Sequence, residues 1–265
     1  MNSISAIIIA KNAEGLIVES LKSVSFCNEM IVVDAGSSDR TIEVAKKMNA
    51  KVFEHKTQDF SQLRNFGLEK AKGEWVLYVD SDERVMEELR KSIESRIMPS
   101  PRAQAEGNHE SGIGVYKIKR KNFYLGNNEW PYIERLERLF RRDNLKGWKG
   151  KLHESPVFEG EDLPAGRQVG ELDGFLLHYT HRNLSSMLEK TIEWSKIEAE
   201  LRLNANHPNM SWWRFPRVMI TAFWEYYIKQ GGWKVGTIGL IESIYQTFSA
   251  FITYARLWEI QNKRE

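Results

Sequence analysis

The sequence predicts an α/β protein: a mostly parallel sheet with flanking helices, followed by a helical, aromatic-rich C-terminal segment. Three observations carry that prediction. Short apolar runs alternate with segments of helical apolar spacing from residue 4 to residue 97, the pattern of β-α-β units. The runs contain no polar alternation, so they read as strands covered on both faces. Three of them lead into the polar side chains Asn12, Asp34 and Asp80. In parallel sheets, ligands bind beyond such carboxyl ends.

Taken in order, Ile4–Ala10 is apolar and β-branched and reads as the first strand. Leu16, Ile17, Leu21 and Val24 then repeat at helical spacing. Residues 30–34 form the second strand, 35–39 a turn rich in glycine and serine, and Ile42, Ala45 and Met48 mark the next helix. Residues 51–55 are a short third strand. Ser61 is the expected cap of a helix carrying Leu63, Phe66 and Leu68 and ending at Gly73. The fourth strand, 75–79, precedes a helix over 86–98 marked by Leu89, Ile93 and Ile97. Residues 99–112 are rich in breakers and read as a solvent loop, with His109 and Glu110 incidental to it; 160–170 reads as a second surface excursion. Between them, 114–120 alternates as an amphipathic strand, 138–141 forms another, and 152–156 ends a strand. The apolar Phe175, Leu176 and Leu177 place His178 at one more strand end.

Composition narrows the function classes. The 265 residues are 42% hydrophobic and 28% charged, ordinary for a globular chain. A net charge of +2 supplies no field for nucleic acid, so no nucleic-acid partner is expected. The single cysteine, Cys27, excludes an internal disulfide and reads as a buried structural thiol in a reducing compartment. The N-terminus enters a strand without a basic and apolar leader, so a signal peptide is not expected.

The densest chemistry lies at the fourth strand end. In an extended chain Asp80 and Asp82 lie on the same side. Paired carboxylates repel unless a cation sits beside them. Hard oxygen ligands suit Mg²⁺ or Mn²⁺, ions that bring substrate phosphates with them. A polar strand end leading into a turn is the alternative. No Gly-x-Gly-x-x-Gly follows the first strand, and no P-loop motif occurs, which weakens the usual dinucleotide and P-loop readings.

Four pieces in order, residues 10–14, 33–41, 62–67 and 80–83, resemble the nucleotide-binding half of family 2 glycosyltransferases, which have the GT-A fold. Within that family the chain is similar to lipopolysaccharide-core β-glucosyltransferase-like enzymes, a looser likeness that runs through residues 151–156 to the C-terminus. The resemblance implies a UDP-sugar donor and a divalent metal, Mn²⁺ or Mg²⁺. It implies that Ala10 and Asn12 line a uracil pocket and that Asp34 hydrogen-bonds the base. Arg64 would sit by the pyrophosphate, which suits a guanidinium fork. Asp80 would face the ribose or the metal's water, Asp82 would bind the metal, and His153 would complete the metal shell or touch the diphosphate. His178 is expected near the diphosphate, and a metal role for His178 together with His181 would need an unusually tight bend. Family membership also implies inversion at the anomeric carbon. A carboxylate must then take the acceptor hydroxyl's proton; Glu154 is the candidate, with Glu134, Glu137 and Asp143 as fallbacks.

These implications set the expected organisation. Residues 1–182 would be the catalytic domain, with a nucleotide-binding half at 1–98 and an acceptor half at 113–182; residues 183–265 would be a helical, membrane-associating region. In that region Trp212, Trp213, Trp224, Trp233 and Trp258 mix with Arg214, Arg217, Lys229, Lys234 and Arg256. Glu225, Glu242 and Arg256 interrupt every apolar run, so an in-plane anchor is expected rather than a span. Packing on the core or a dimer interface is the other reading of these helices, and the sequence sets no oligomeric state. The expected activity is transfer of a hexose, glucose or another, to a glycan or lipid-linked acceptor in lipopolysaccharide or cell-envelope synthesis. The expected location is cytoplasmic, peripheral on the inner membrane. The rivals are a polyprenyl-phosphate glycosyltransferase and a non-catalytic membrane-surface scaffold.

Overall fold

The computed structural model describes residues 3–97, 113–158 and 169–263. The expected loop at 99–112, with His109 and Glu110, and residues 160–168 of the second excursion lie outside them. Four parallel strands form the first half of the sheet: β1 (Ile4–Ala10), β2 (Glu29–Asp34), β3 (Lys51–Glu54) and β4 (Trp75–Asp80), with β1 between β2 and β4. The crossovers are α1 (Ile17–Ser23), α2 (Thr41–Lys47) and α3 (Phe60–Lys70). Every residue of β1 is buried. Ile4, Ala6 and Ile8 face one apolar core and Ile7 and Ile9 the other, as alternation on a sheet covered twice requires. The α/β class is borne out. Ala10 pairs with Asp34, and Ile9 with Asp80, so the register alone collects these strand ends on one edge.

The second half departs from the sequence reading. After β4 come β5 (Glu83–Val85), α4 (Glu87–Ile97), β6 (Val115–Tyr124), β7 (Asn128–Arg141) and β10 (Val169–Tyr179), giving an eight-stranded sheet in the order β3-β2-β1-β4-β7-β6-β10-β5. β7 joins β4 antiparallel, and β5 joins β10 antiparallel. β7 runs for 14 residues where the sequence marked four, because its many charged residues hide a strand that lies between the adjacent β6 and the distant β4. β8 (Leu145–Lys149) and β9 (Ser155–Phe158) form a separate antiparallel pair. α3 begins at Phe60, and its cap is Asp59 rather than Ser61: the Asp59 carboxylate accepts from Gln62 N at 3.2 Å and from the Ser61 hydroxyl at 2.6 Å. Cys27 is buried and free, and burial pushes its thiol pKa up, which keeps it unreactive.

The chain divides into two compact units, one of Met1–Arg120 with Glu134–His178, the other of Lys121–Ile133 with Tyr179–Glu265. The second is helical: α5 (Leu184–Asn204), α6 (Arg214–Phe223), a π-helical turn Trp224–Lys229, a 3₁₀ turn Gly232–Val235 and α7 (Gly236–Gln261), which packs against α5 and α6. Its small apolar core joins Ala199, Met210 and Leu257 to Phe215, Tyr254 and Ile260. Glu242 of α7 is fully buried, accepting from Gln246 and paired with His181 at 2.8 Å. Among the described residues no helix is long and apolar enough to cross a membrane.

α3 lies on the sheet at glycine distance. A Cβ on Gly67 would come within 2.5 Å of Ile7 Cγ2 and 3.3 Å of Val33 Cγ2. An alanine in a helix interior is ordinarily worth about 1 kcal/mol over glycine. Here overpacking against two rigid β-branched residues wins, and Gly67→Ala is expected to destabilise the protein by about 1–3 kcal/mol in urea unfolding.

Candidate active site

The site is built on strand ends. Asp34 is fully buried at the end of β2 and organises the following turn: Oδ1 accepts from Gly36 N at 2.9 Å and Ser37 N at 2.8 Å, and Oδ2 accepts from the Ser37 hydroxyl. The loop after β1 is laced to this turn. Asn12 N donates to Ser37 Oγ, Asn12 Oδ1 accepts from Ser38 N, and Ala13 N donates to Thr41 Oγ1. Asn12 is held at φ +50°, a conformation asparagine tolerates. Ala10, 1% exposed, lies between the two loops, and its carbonyl accepts from Ala35 N. Ala10, Asn12 and Asp34 therefore form one rigid wall at the sheet edge.

Beyond β4 the chain does not continue extended. A turn at Ser81 and Asp82 separates β4 from β5, closed by Glu83, whose carboxylate accepts from Asp80 N at 2.9 Å. The expectation that Asp80 and Asp82 share one side of a strand is thereby corrected, and the two carboxylates take different partners. Asp80 meets two arginines, Arg64 Nη2 at 3.2 Å and Arg138 Nη2 at 3.0 Å. Asp82 Oδ2 lies 3.4 Å from His178 Nε2, because β10 pairs with β5 and sets His178 opposite Glu83.

A chain of alternating charge extends from Asp80. Glu154 bonds Arg64 at 2.7 Å, and Arg64 bonds Asp80, which bonds Arg138. Arg138 reaches Glu83 at 3.3 Å, Glu83 accepts from Arg120 at 2.8 Å, and Arg120 holds Glu134 at 2.7 Å. Glu83 is fully buried, and a buried carboxylate persists only with such partners. Burial by itself would raise the Asp80 pKa; the guanidiniums of Arg138 and then Arg64 overcome that and hold the carboxyl far below the usual carboxylate range.

α3 aims the arginine. The guanidinium of Arg64, whose side chain is 3% exposed, lies 4.9 Å from the Trp148 ring centroid and 5.4 Å from that of Tyr78. Asn65 fixes the tryptophan: its Nδ2 donates to Trp148 O at 3.0 Å, and its Oδ1 accepts from Trp148 N at 2.7 Å. The turn between β8 and β9 then delivers Glu154. Gly150 sits there at φ +101°, where a Cβ would meet the His153 carbonyl at 2.5 Å, so that turn requires glycine. His153 itself is exposed. Arg64, placed beside a pyrophosphate by the sequence reading, has Nε and Nη2 committed to Glu154 and Asp80, and its Nη1 is buried without a hydrogen-bond partner. The fallback carboxylates are engaged as well: Glu134 with Arg120, Glu137 with Lys117 at 3.8 Å, and Asp143 with Arg141 at 3.2 Å.

Among the described residues no three His, Cys, Asp or Glu groups cluster for a metal. The Asp82–His178 pair nevertheless fits a divalent ion, since donors 3.4 Å apart can both reach an ion at the ~2.0–2.1 Å typical of Mg²⁺. Such sites take few protein ligands and complete their shells with water and substrate phosphates.

Residues 5–97 match the family model Glycosyl transferase family 2. They form a family 2 glycosyltransferase domain. The chain is 27% identical to the uncharacterized glycosyltransferase RT0209 of Rickettsia typhi, over 99% of this chain and 89% of that one. It is 23% identical to the lipopolysaccharide core biosynthesis glycosyltransferase LpsC of Rhizobium meliloti, over 97% of this chain and 92% of that one. Among solved structures, glucosyl-3-phosphoglycerate synthase of Mycobacterium tuberculosis in complex with Mn²⁺, UDP and glucosyl-3-phosphoglycerate aligns with a TM-score of 0.38 and 20% identity, over 54% of this chain and 58% of that one.

Three residues that hold this site together, Arg120, Arg138 and Glu83, had no role assigned from the sequence. Their partners lie 37, 55 and 58 positions away, beyond any local pattern. The depressed pKa of Asp80 fixes a pH signature. A carboxyl whose folded pKa is lowered contributes stability that is complete above its unfolded value, about 3.9 for Asp, and is lost as pH falls below it. Asp80→Asn is therefore expected to cost about 1–3 kcal/mol at pH 7, discounted for the partial exposure of the carboxylate. Urea titrations from pH 7 to pH 3 should show that difference shrinking only below about pH 4.

Proposed function

We propose that this chain is an inverting glycosyltransferase that moves a hexose from a UDP-sugar to a glycan or lipid-linked acceptor in cell-envelope synthesis, with Mg²⁺ or Mn²⁺ at Asp82 and His178. The observation that carries the reading is the Asp82–His178 pair, 3.4 Å apart, beside the strand end that presents Asp80. The metal, when bound, would neutralise charge developing on the departing diphosphate. Ala10 and Asn12 would bound the base, and Asp34 would fix the loop that receives it. Asp80, kept ionised by Arg64 and Arg138, would accept from the ribose hydroxyls. His153, exposed on the β8–β9 turn, would contact the diphosphate. Glu154 would take the acceptor's proton, with Arg64 orienting its carboxylate. The acceptor's membrane linkage would set the protein at the cytoplasmic face of the inner membrane.

A second reading is favoured by one observation, the engagement of Glu154 with Arg64 at 2.7 Å. If a polyprenyl phosphate is the nucleophile, no proton need be removed, and Glu154 serves only to position Arg64. Glu154→Gln separates the two. The first reading predicts that kcat falls at least 100-fold with the donor KM nearly unchanged, and the second predicts less than a fivefold change. Mass spectrometry should find UDP, and no pyrophosphate, beside a hexose-extended acceptor; pyrophosphate release would make the chain a nucleotidyltransferase instead.

A further inference from the structure

The helical unit carries a feature that sugar transfer does not use. Of the 19 large hydrophobic side chains exposed among the described residues, 17 lie at or beyond Leu184. They concentrate where the local fold buries least: α6 has no buried residue at all. Trp213, Arg217, Ile220 and Trp224 follow one another at spacings of three and four and so share one helical face. Trp213 is 45% exposed, Ile220 68% and Trp224 56%. The bond from Gln230 N to Glu225 O at 2.9 Å spans five residues. Each residue of that widened turn rotates less than an α-helical one, which keeps Ile228, also exposed, on the same stripe.

We infer that this α6 face is an in-plane docking surface for an anionic lipid bilayer. The charge pattern selects that occupant. Arg217 lies on the stripe, and Arg214, Lys229 and Lys234 are further cations of the same segment, against a single acid, Glu225, which Lys229 already pairs at 3.0 Å. A second copy related by a twofold axis would set the same basic patch against itself. Anionic headgroups complement the same cations. The aromatic content agrees: the Arg214 guanidinium lies 4.9 Å from the Trp213 ring centroid, and Lys234 Nζ lies 5.6 Å from that of Trp233. Tryptophan beside basic side chains suits the boundary between headgroups and acyl chains, where the rings leave water and the charges stay in it. The inference deepens the membrane reading proposed above and does not depend on the transfer chemistry.

The test is co-sedimentation of the full chain with sucrose-loaded vesicles of phosphatidylethanolamine and phosphatidylglycerol (3:1), and with phosphatidylcholine alone. The wild type should partition at least tenfold more strongly onto the anionic vesicles, and the preference should fall in 0.5 M salt. A Trp213→Ser, Ile220→Ser, Trp224→Ser triple variant should lose at least tenfold in vesicle partitioning while keeping its circular dichroism and its UDP binding. Arg217→Glu should weaken binding to the anionic vesicles alone. Failure of the wild type to sediment with either vesicle, or equal binding by the triple variant, overturns the inference. So does a wild-type dimer that the triple variant turns into a monomer without any vesicle binding, which would make the face a self-association surface. UDP binding followed in the same samples keeps the two readings apart: its absence with vesicle binding intact removes the transferase reading and leaves this one.

Discussion

Asp80 between Arg64 and Arg138 is the interaction on which the first compact unit turns. Charges that leave water must be paired, and a buried charge stripped of its partner is far costlier than the pair is beneficial. Here the requirement propagates. Arg64 comes from α3, Asp80 from the end of β4, Glu83 from β5, Arg120 from β6, Arg138 from β7 and Glu154 from the β8–β9 turn. No one of these elements can shift by a residue without leaving a charge orphaned. The long antiparallel strands thus do more than extend the sheet: they bring in the cations that keep the β4 end ionised.

The motif around Arg64 shows how a short sequence serves several physical demands at once. Arg64 holds two carboxylates, Asn65 clamps the Trp148 backbone, and Gly67 lets the helix lie directly on Ile7 and Val33. Trp148, so clamped, lies against the Arg64 guanidinium and shields it from solvent. With two of its nitrogens committed and the third buried, Arg64 orients the carboxylates of Asp80 and Glu154.

The parallel half of the fold was legible because its signals are local. Fully buried strands contain apolar runs, and every apolar residue of β1 falls in one of two cores. The edge that collects Ala10, Asp34 and Asp80 followed from the same runs. The antiparallel half was poorly legible: Arg138 finds Asp80 and Glu83 only once β7 lies beside β4, a pairing no local pattern marks. The turn after Asp80 was misread for a similar reason, since Glu83, which closes it, is drawn inward by Arg120 and Arg138. His178 was marked as a strand end, but nothing local indicated that β10 would set it against Asp82.

The proposed divalent ion at Asp82 and His178 would tie the site to a nucleoside diphosphate. Isothermal titration of the full chain with UDP, in Mn²⁺ and then in EDTA, tests it most directly when repeated on Asp82→Ala and His178→Ala. UDP binding is expected to require Mn²⁺ and to weaken at least tenfold in each variant. UDP binding of equal strength in EDTA, or unchanged in both variants, would contradict it.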